Sequence, residues 1–334
     1  MAHDAHTDER LLRWGILGTA RINRHVIPAM RQAGRCRLVA VASRWEDRAA
    51  AYADAWRIPR AHGSYEALLA DPEVDVVYNP LPNGLHADWT IRACAAGKHV
   101  LCEKPLALTV EDVDSMAAAA ARHARVVTEA FMYRHHPQMA RLQALVDGGA
   151  IGTLGLIRAS FTFPLADRTN VRYDRALGGG SLWDVGCYPV SFARAVTRLE
   201  PVEVFGWSRQ TSGDVDEWFA GQLRFATGVV AQFDSGFQAP FRTAAELVGD
   251  RGVIRLERPF KPDVTGHIEV CVNDEVVSHE SAPQAAYVGE IEDLTSAVLD
   301  GTTPALPLAD SRHNVATILA LLESARSGRA VQLP

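Results

Sequence analysis

Clustered cysteine, long apolar runs and an excess of basic charge are all missing from this chain. Its five cysteines, Cys36, Cys94, Cys102, Cys187 and Cys271, are scattered and show no C-x-x-C spacing. That argues against both a disulfide framework and a zinc site, and reads as free thiols in a reducing compartment. No apolar segment approaches the roughly 20 residues that span a bilayer. Lys and Arg number 34 against 40 Asp and Glu, a net charge of −6, so the chain lacks the cationic surplus of a general nucleic-acid or membrane-surface binder. Internal repeats and low-complexity linkers are absent too. Residues 1–10 are polar with no apolar stretch behind a basic end, so they read as a disordered tail rather than a secretory signal.

What is present is an ordinary globular composition, 48% hydrophobic and 22% charged over 334 residues. That length favours two domains. Over residues 11–130, short apolar runs recur at Leu12–Leu17, Leu38–Ala42, Val74–Tyr78, His99–Cys102 and Val126–Thr128. They are nearly continuous, as in strands covered on both faces. Helical stretches lie between them at Glu46–Trp56, Leu85–Ala96 and Glu111–His123. The alternation predicts an α/β domain with a doubly wound parallel sheet. From residue 131 to 334 the texture changes. A helix is expected over Pro137–Val146, then alternating strands that include Phe219–Phe225, Val229–Phe233, Ala245–Val248 and Val253–Leu256, and two closing helices over Glu290–Leu299 and Ser311–Ser327. Strands without intervening helices predict a mainly antiparallel sheet and an α+β second domain.

Polar residues follow three of the early strands, where an open parallel sheet binds its ligands. After the first comes Gly18-Thr19-Ala20-Arg21-Ile22-Asn23. Only the first glycine of the G-x-G-x-x-G/A dinucleotide fingerprint is kept. Ala20 would hold a pyrophosphate slightly further off, yet amides at a helix start can still bind it; an ordinary strand-to-helix turn is the alternative. After the second strand come Ser43 and Arg44. An acid there would hold the ribose hydroxyls of NAD, whereas arginine accommodates the 2′-phosphate of NADP. Glu46 is the first acid beyond, so NADP(H) is favoured over NAD. After Pro80-Leu81-Pro82, Asn83 and His86 have two readings. They are candidates to bond the nicotinamide ribose or carboxamide, or else an N-cap and a first-turn surface residue. The His135-His136 pair has no third ligand at metal spacing and reads as structural.

Two further groups carry candidate chemistry. Lys104, between Glu103 and Pro105, is expected near the nicotinamide. A neighbouring cation there would lower its ammonium pKa towards a useful range; a surface salt bridge to Glu103 is the alternative. The second group is Gly178-Gly179-Gly180-Ser181-Leu182-Trp183-Asp184-Val185-Gly186-Cys187-Tyr188-Pro189. Asp184 and Tyr188 are four apart and would share a helix face. A phenol beside an ammonium can exchange a proton with an alcohol or alkoxide oxygen, and Lys104 is expected to hold that oxygen and lower the pKa of the Tyr188 phenol. Against this, Ser181 and Asp184 fit a helix-start pattern, and Pro189 disturbs a regular helix.

Together the strings G-I-L-G-T-A-R-I, V-A-S-R, P-L-P-N-G-L-H, A-G-K-H-V-L-C-E-K-P-L and G-G-G-S-L-W-D-V-G-C-Y-P resemble the glucose-fructose oxidoreductase / inositol dehydrogenase / MocA family over nearly the whole chain. They look most like its dihydrodiol dehydrogenase, NADP-dependent D-xylose dehydrogenase and sugar ketoreductase subgroup. The resemblance implies a Rossmann domain and a second domain built on a large open sheet that often forms a dimer interface. It implies an E-K-P motif at Glu103, Lys104 and Pro105. It also implies Tyr188 as acid/base where many members carry histidine in D-x-x-x-H, with Asp184 orienting a substrate hydroxyl. A small sugar-like substrate, a homodimer or tetramer, and a cytoplasmic location without the export signal of glucose-fructose oxidoreductase are the matching expectations. Phe163, Asn170, Arg172 and Trp183 are the candidate substrate contacts. An apolar diol as substrate, or a nucleotide-sensing protein without turnover, are the competing readings.

Overall fold

The computed structural model describes residues 11–210 and 214–334; the expected tail, 1–10, lies outside the described residues. The chain begins β1 (Leu12–Leu17), α1 (Asn23–Gln32), β2 (Cys36–Ala42), α2 (Glu46–Trp56), β3 (Arg60–His62), α3 (Tyr65–Ala70), β4 (Val76–Asn79), α4 (His86–Ala95), β5 (His99–Glu103), α5 (Val110–Arg122) and β6 (Val127–Ala130). Its six strands form one parallel sheet in the order β3-β2-β1-β4-β5-β6. The apolar runs become strands because both faces are covered: every residue of β4 and β6 is buried. Alternate side chains feed opposite cores. Val76 and Tyr78 pack with Val26 and Met30 of α1, whereas Val77 packs with Leu68 of α3 and Met116 of α5. The short strand β3, Arg-Ala-His, has no apolar run of its own to announce it.

The rest runs α6 (Pro137–Asp147), β7 (Leu154–Thr162), a π-helical turn (Leu182–Gly186), α7 (Cys187–Thr197), β8 (Pro201–Arg209), β9 (Trp218–Phe225), β10 (Val230–Gly236), β11 (Arg242–Gly249), β12 (Val253–Leu256), β13 (His267–Val272), β14 (Glu275–Glu280), α8 (Val288–Leu299), α9 (Leu308–Ser327) and β15 (Val331–Gln332). The strands form a nine-stranded sheet in the order β14-β13-β12-β11-β7-β10-β9-β8-β15. All its pairs are antiparallel except β7 with β10. Its strands alternate buried and open positions, as β11 and β13 do, which is the mark of a sheet packed on one face.

One helix crosses the boundary that the change of texture suggested. Helix α8 belongs by sequence to the second half, yet Val288, Ile291 and Leu294 pack with Trp14, Ile16 and Leu101 of the parallel sheet. It fills the face that α1 and α2 leave open over the later strands. Helix α9 packs on β8 and reaches α5 and β6, and Thr128 Oγ1 of β6 donates to Leu306 O (3.1 Å). The two sheets are thereby held against each other with the ends of β1, β2, β4 and β5 facing the second sheet.

Candidate active site

A cleft of about 820 Å³ lies beyond those strand ends. Its first wall is the turn from β1 to α1, Gly18 to Ile22. Gly18 has φ +86°, and a Cβ there would also crowd Leu81, so the position favours glycine on both counts. Its N–H donates to Ala42 O (2.8 Å), and Asn23 Nδ2 closes the turn onto Gly18 O (3.0 Å). No side chain caps α1. An uncapped helix start lining a cleft fits a phosphate group, and Ala20 at the second fingerprint position lines the same cleft.

The end of β2 supplies the next wall. Arg44 lies over the Trp45 ring, 4.7 Å from its centroid, with Arg48 5.9 Å from the same ring. Ser43, Arg44, Trp45 and Arg48 all line the cleft, and Glu46 does not. Its carboxylate sits in the first turn of α2, where the helix dipole favours it. This end of the cleft therefore offers two guanidiniums beside an indole and no acid, which fits the phosphorylated ribose of NADP better than the free diol of NAD. Trp45 and Arg48 went unnoticed in the sequence reading, although the i, i+3 spacing is visible.

At the other end, Lys104 and the glycine-rich segment meet across 80 residues. Lys104 Nζ donates to Asp184 O (2.6 Å) and lies 3.3 Å from Asp184 Oδ1. Arg172 Nε donates to Asp184 Oδ2 (2.6 Å). The expected shared face arises through a π turn rather than a regular helix. A π turn loosens the backbone ladder, Pro189 contributes no N–H to it, and the Asp184 carbonyl accepts from Lys104. Burial would raise the Asp184 pKa, but Arg172 and then Lys104 bring it down to about 2. Lys104 is held above its ordinary value: burial is the largest influence and lowers it, but Asp184, with Cys187 and Glu103 adding to it, together outweigh that lowering. This corrects the expectation of a lowered ammonium pKa: the neighbour that decides it is an anion. Nor is Glu103 its partner, since Glu103 Oε1 accepts from Tyr78 Oη (2.6 Å). The Lys104–Pro105 peptide is cis.

Tyr188, 7% exposed, sits in an aromatic cage. Phe131, Phe161 and Phe260 surround its ring at 5.2, 5.1 and 5.7 Å between centroids. Lys104 Nζ lies 5.0 Å from the ring centroid, over the face rather than at the hydroxyl. Burial, with Tyr287 and Glu103 adding to it, holds the phenol well above its ordinary pKa. The group is a neutral proton donor, and the expected lowering of its pKa by Lys104 is not seen.

Other expected residues divide. Pro80, Leu81, Asn83, Phe163, Asn170 and Arg172 line the cleft. Asn83 Nδ2 donates to Gly178 O (2.9 Å), tying the two halves together. His86 does not line it: the ring is fully buried, with its two nitrogens on Pro105 O (2.8 Å) and Leu81 O (2.7 Å), so no ring nitrogen is left for a cofactor. Trp183 is buried in the core and also lies outside the lining. Both Asp184 oxygens are engaged by cations, so it holds Lys104 and Arg172 rather than standing ready for a substrate hydroxyl. Nor do Ser181 and Asp184 form a helix-start pair. Ser181 Oγ donates to Asp216 Oδ2 (2.6 Å), which also accepts from Leu182 N (2.7 Å). Burial raises Asp216 to about 6. Asp216, Phe241 and Lys261 carried no local signal that could have found them. His136 caps α6 through Gln138 N (3.2 Å), and among the described residues no cluster of His, Cys, Asp and Glu fits a metal. The cysteines are free, and no described helix is long and apolar enough to cross a membrane.

Comparison with known proteins agrees with this architecture. The model of an oxidoreductase family with an NAD-binding Rossmann fold matches residues 12–131, and that of the GFO/IDH/MocA C-terminal domain matches residues 139–255. The chain is 39% identical over 327 residues to D-xylose 1-dehydrogenase (NADP(+)) 2 of Haloferax volcanii, covering 96% of this chain and 100% of that one. It superposes on an aldose-aldose oxidoreductase from Caulobacter crescentus complexed with glycerol (TM-score 0.91, 29% identity, 97% and 100% coverage). It also superposes on a 3-ketoreductase from Actinomadura kijaniata in complex with NADP and TDP-benzene (TM-score 0.90, 30% identity, 94% and 98% coverage). The chain belongs to the GFO/IDH/MocA family of oxidoreductases.

Proposed function

We propose that the protein is an NADP(H)-dependent oxidoreductase acting between the carbinol and carbonyl states of a sugar or sugar derivative. The observation that carries this reading is the convergence of Lys104, Asp184 and Tyr188 in the cleft whose far wall is the Gly18 turn and the Arg44–Trp45 pair. Arg44 and Arg48 would hold the 2′-phosphate, and the amides after Gly18 the pyrophosphate. When bound, NADPH supplies the hydride, and NADP takes one up in the reverse direction. Tyr188, neutral in its aromatic cage, gives its proton to the substrate oxygen as the carbonyl carbon is reduced, and is reprotonated from solvent. Lys104 has three N–H donors; with two directed at Asp184, the third is the one to polarise that same oxygen. Asp184 keeps the ammonium charged and oriented, and Arg172 holds Asp184 in turn. Phe163 and the half-exposed Phe241 offer faces for the C–H side of a sugar ring.

Tyr188→Phe tests the assignment. It should lower kcat by about 10²–10⁴-fold and leave NADPH affinity nearly unchanged. Activity equal to the parent would remove Tyr188 from the chemistry. A second reading, a trans-diol dehydrogenase for an apolar substrate, draws on the apolar rim formed by Phe241 and Val171, 50% and 44% exposed. Following NADPH absorbance with D-xylose, D-glucose and an alicyclic vicinal diol separates the two. A sensor would bind NADPH with no turnover of any of them. We also propose a homodimer or tetramer through the open face of the nine-stranded sheet, where Trp207 and Val276 are 58% and 55% exposed. A monomeric mass by light scattering would contradict it.

A further inference from the structure

The charges lining the cleft do not balance at its catalytic end. Asp184 is shared by Lys104 and Arg172, and Glu103 is bonded to Tyr78. Lys261 lines the same space and has no carboxylate partner among the described residues. Three cations therefore face two anions, and each anion is already engaged. The position of Lys261 is built. It follows Phe260, which is fully buried against Tyr133, Phe161, Tyr188 and Phe192. It is flanked by Pro259 and Pro262, both buried. Phe260 is thus a plug in the wall of the Tyr188 cage, and it fixes where the next residue emerges. Lys261 is itself exposed at the cleft, and its ammonium is held below its usual value by desolvation and then by Lys104, with Arg172 adding to this and Asp184 and Glu103 opposing it. Its charge also reaches His25 on α1, whose pKa it helps to lower.

We propose that Lys261 is a specificity-determining residue that binds an anionic group, a carboxylate or phosphate, on the sugar substrate. This rests on the oxidoreductase reading above and narrows its substrate class. An unpartnered cation in a partly desolvated cleft attracts an anion more strongly than the same lysine in open water. A carboxylate or phosphate gains a charge-assisted hydrogen bond there, whereas a neutral sugar leaves the excess charge uncompensated. The arginines at the cofactor end, Arg44 and Arg48 over Trp45, are a separate set.

The test compares D-glucose, D-glucuronate and D-glucose 6-phosphate with NADP in the full chain and in Lys261→Met and Lys261→Arg. Methionine keeps an unbranched stem, so the Phe260 plug can stay seated. The expected result is that one of the two anionic sugars exceeds D-glucose in kcat/KM. That ratio should drop at least about tenfold in Lys261→Met, persist in Lys261→Arg, and fall as salt is added. The preferred sugar distinguishes carboxylate from phosphate. Equal or better use of D-glucose by the parent protein overturns this inference and leaves the oxidoreductase reading standing. A rise in the NADPH Kd of Lys261→Met as large as the loss in ratio also overturns it, because Lys261 would then serve the cofactor. Cofactor binding without turnover of any sugar overturns both.

Discussion

The two sheets contribute to one cleft in different ways. The parallel sheet supplies backbone turns and charged residues at the ends of strands: Gly18 after β1, Arg44 after β2, Asn83 after β4 and Lys104 after β5. Each is positioned by a strand buried on both sides. The nine-stranded sheet supplies residues from connections: Arg172 and the π turn between β7 and α7, Phe241 before β11, and Lys261 between β12 and β13. Their positions depend on what packs behind them, as the aromatic cage does behind Tyr188. The first kind of site is set by topology, and the second by side-chain packing and buried ion pairs.

The contrast can be broken most severely at the junction. Lys104→Met should lower kcat by about 10²–10⁴-fold. It also leaves Asp184 with Arg172 alone, so Asp184 should remain ionised. A loss confined to NADPH affinity, measured by fluorescence titration, would place Lys104 with the cofactor instead. At the parallel-sheet end, Arg44→Ala should raise the KM for NADPH by about tenfold and leave that for NADH nearly unchanged. An equal rise for both would make Arg44 a general surface cation.

Smaller effects sharpen the comparison. Asp216, on the antiparallel side, accepts from Ser181 and Leu182 at the start of the π turn. Burial raises its folded pKa above its unfolded value of 3.8, so its stabilising contribution is present below about pH 4 and lost as pH rises through about 6. Asp216→Asn keeps one oxygen for both donors. It should be more stable than the parent by roughly 1–3 kcal/mol in urea denaturation at pH 7, with the gap closing towards pH 4. The parent should show an acid limb in its pH–rate profile near 6, where this carboxylate takes up a proton. That limb should be absent from the variant. Asp184, brought down to about 2, stays charged throughout that range and cannot be the source of the limb.

Glu129 on β6 is the parallel-sheet counterpart. It is 1% exposed, and burial raises it from 4.5 to about 7. Its folded pKa lies above its unfolded one, so its contribution is fully present below about pH 4.5 and is lost as pH rises through about 7. Glu129→Gln removes that loss and keeps an acceptor for Leu106 N (2.8 Å). The variant should be more stable than the parent by roughly 1–3 kcal/mol at pH 8, with the gap closing towards pH 5. A gap that stays constant with pH would show that Glu129 does not titrate in this range.

Most strands of the parallel sheet could be read from their apolar runs, with ends moved by a residue or two. β2 starts at Cys36 and α4 at His86, after a short 3-10 turn over Asn83–Leu85. β3 escaped because Arg-Ala-His is a half-open edge with no apolar pattern. The placement of α8 escaped because its apolar spacing says that one face is buried but not against which sheet. In the site, Lys104, Asp184 and Tyr188 were legible as residue types in a recognisable order. His86 was misread because the sequence shows an available imidazole, whereas the fold gives both nitrogens to carbonyls. Trp183 was misread for a similar reason: it borders residues of the cleft but turns into the core.

The sequence alone determined the alternation of strands and helices, the glycine turn after β1 and the order of the chemical groups along the chain. Those features rest on local preferences: apolar periodicity, the backbone freedom of Gly18 and the residues that follow each strand. Tertiary structure alone decided that Lys104 and Arg172 share Asp184, that Tyr188 stays neutral and that Lys261 faces them with no ion-pair partner among the described residues. Charge state and pairing depend on burial and on neighbours scores of residues away, and no local pattern records either.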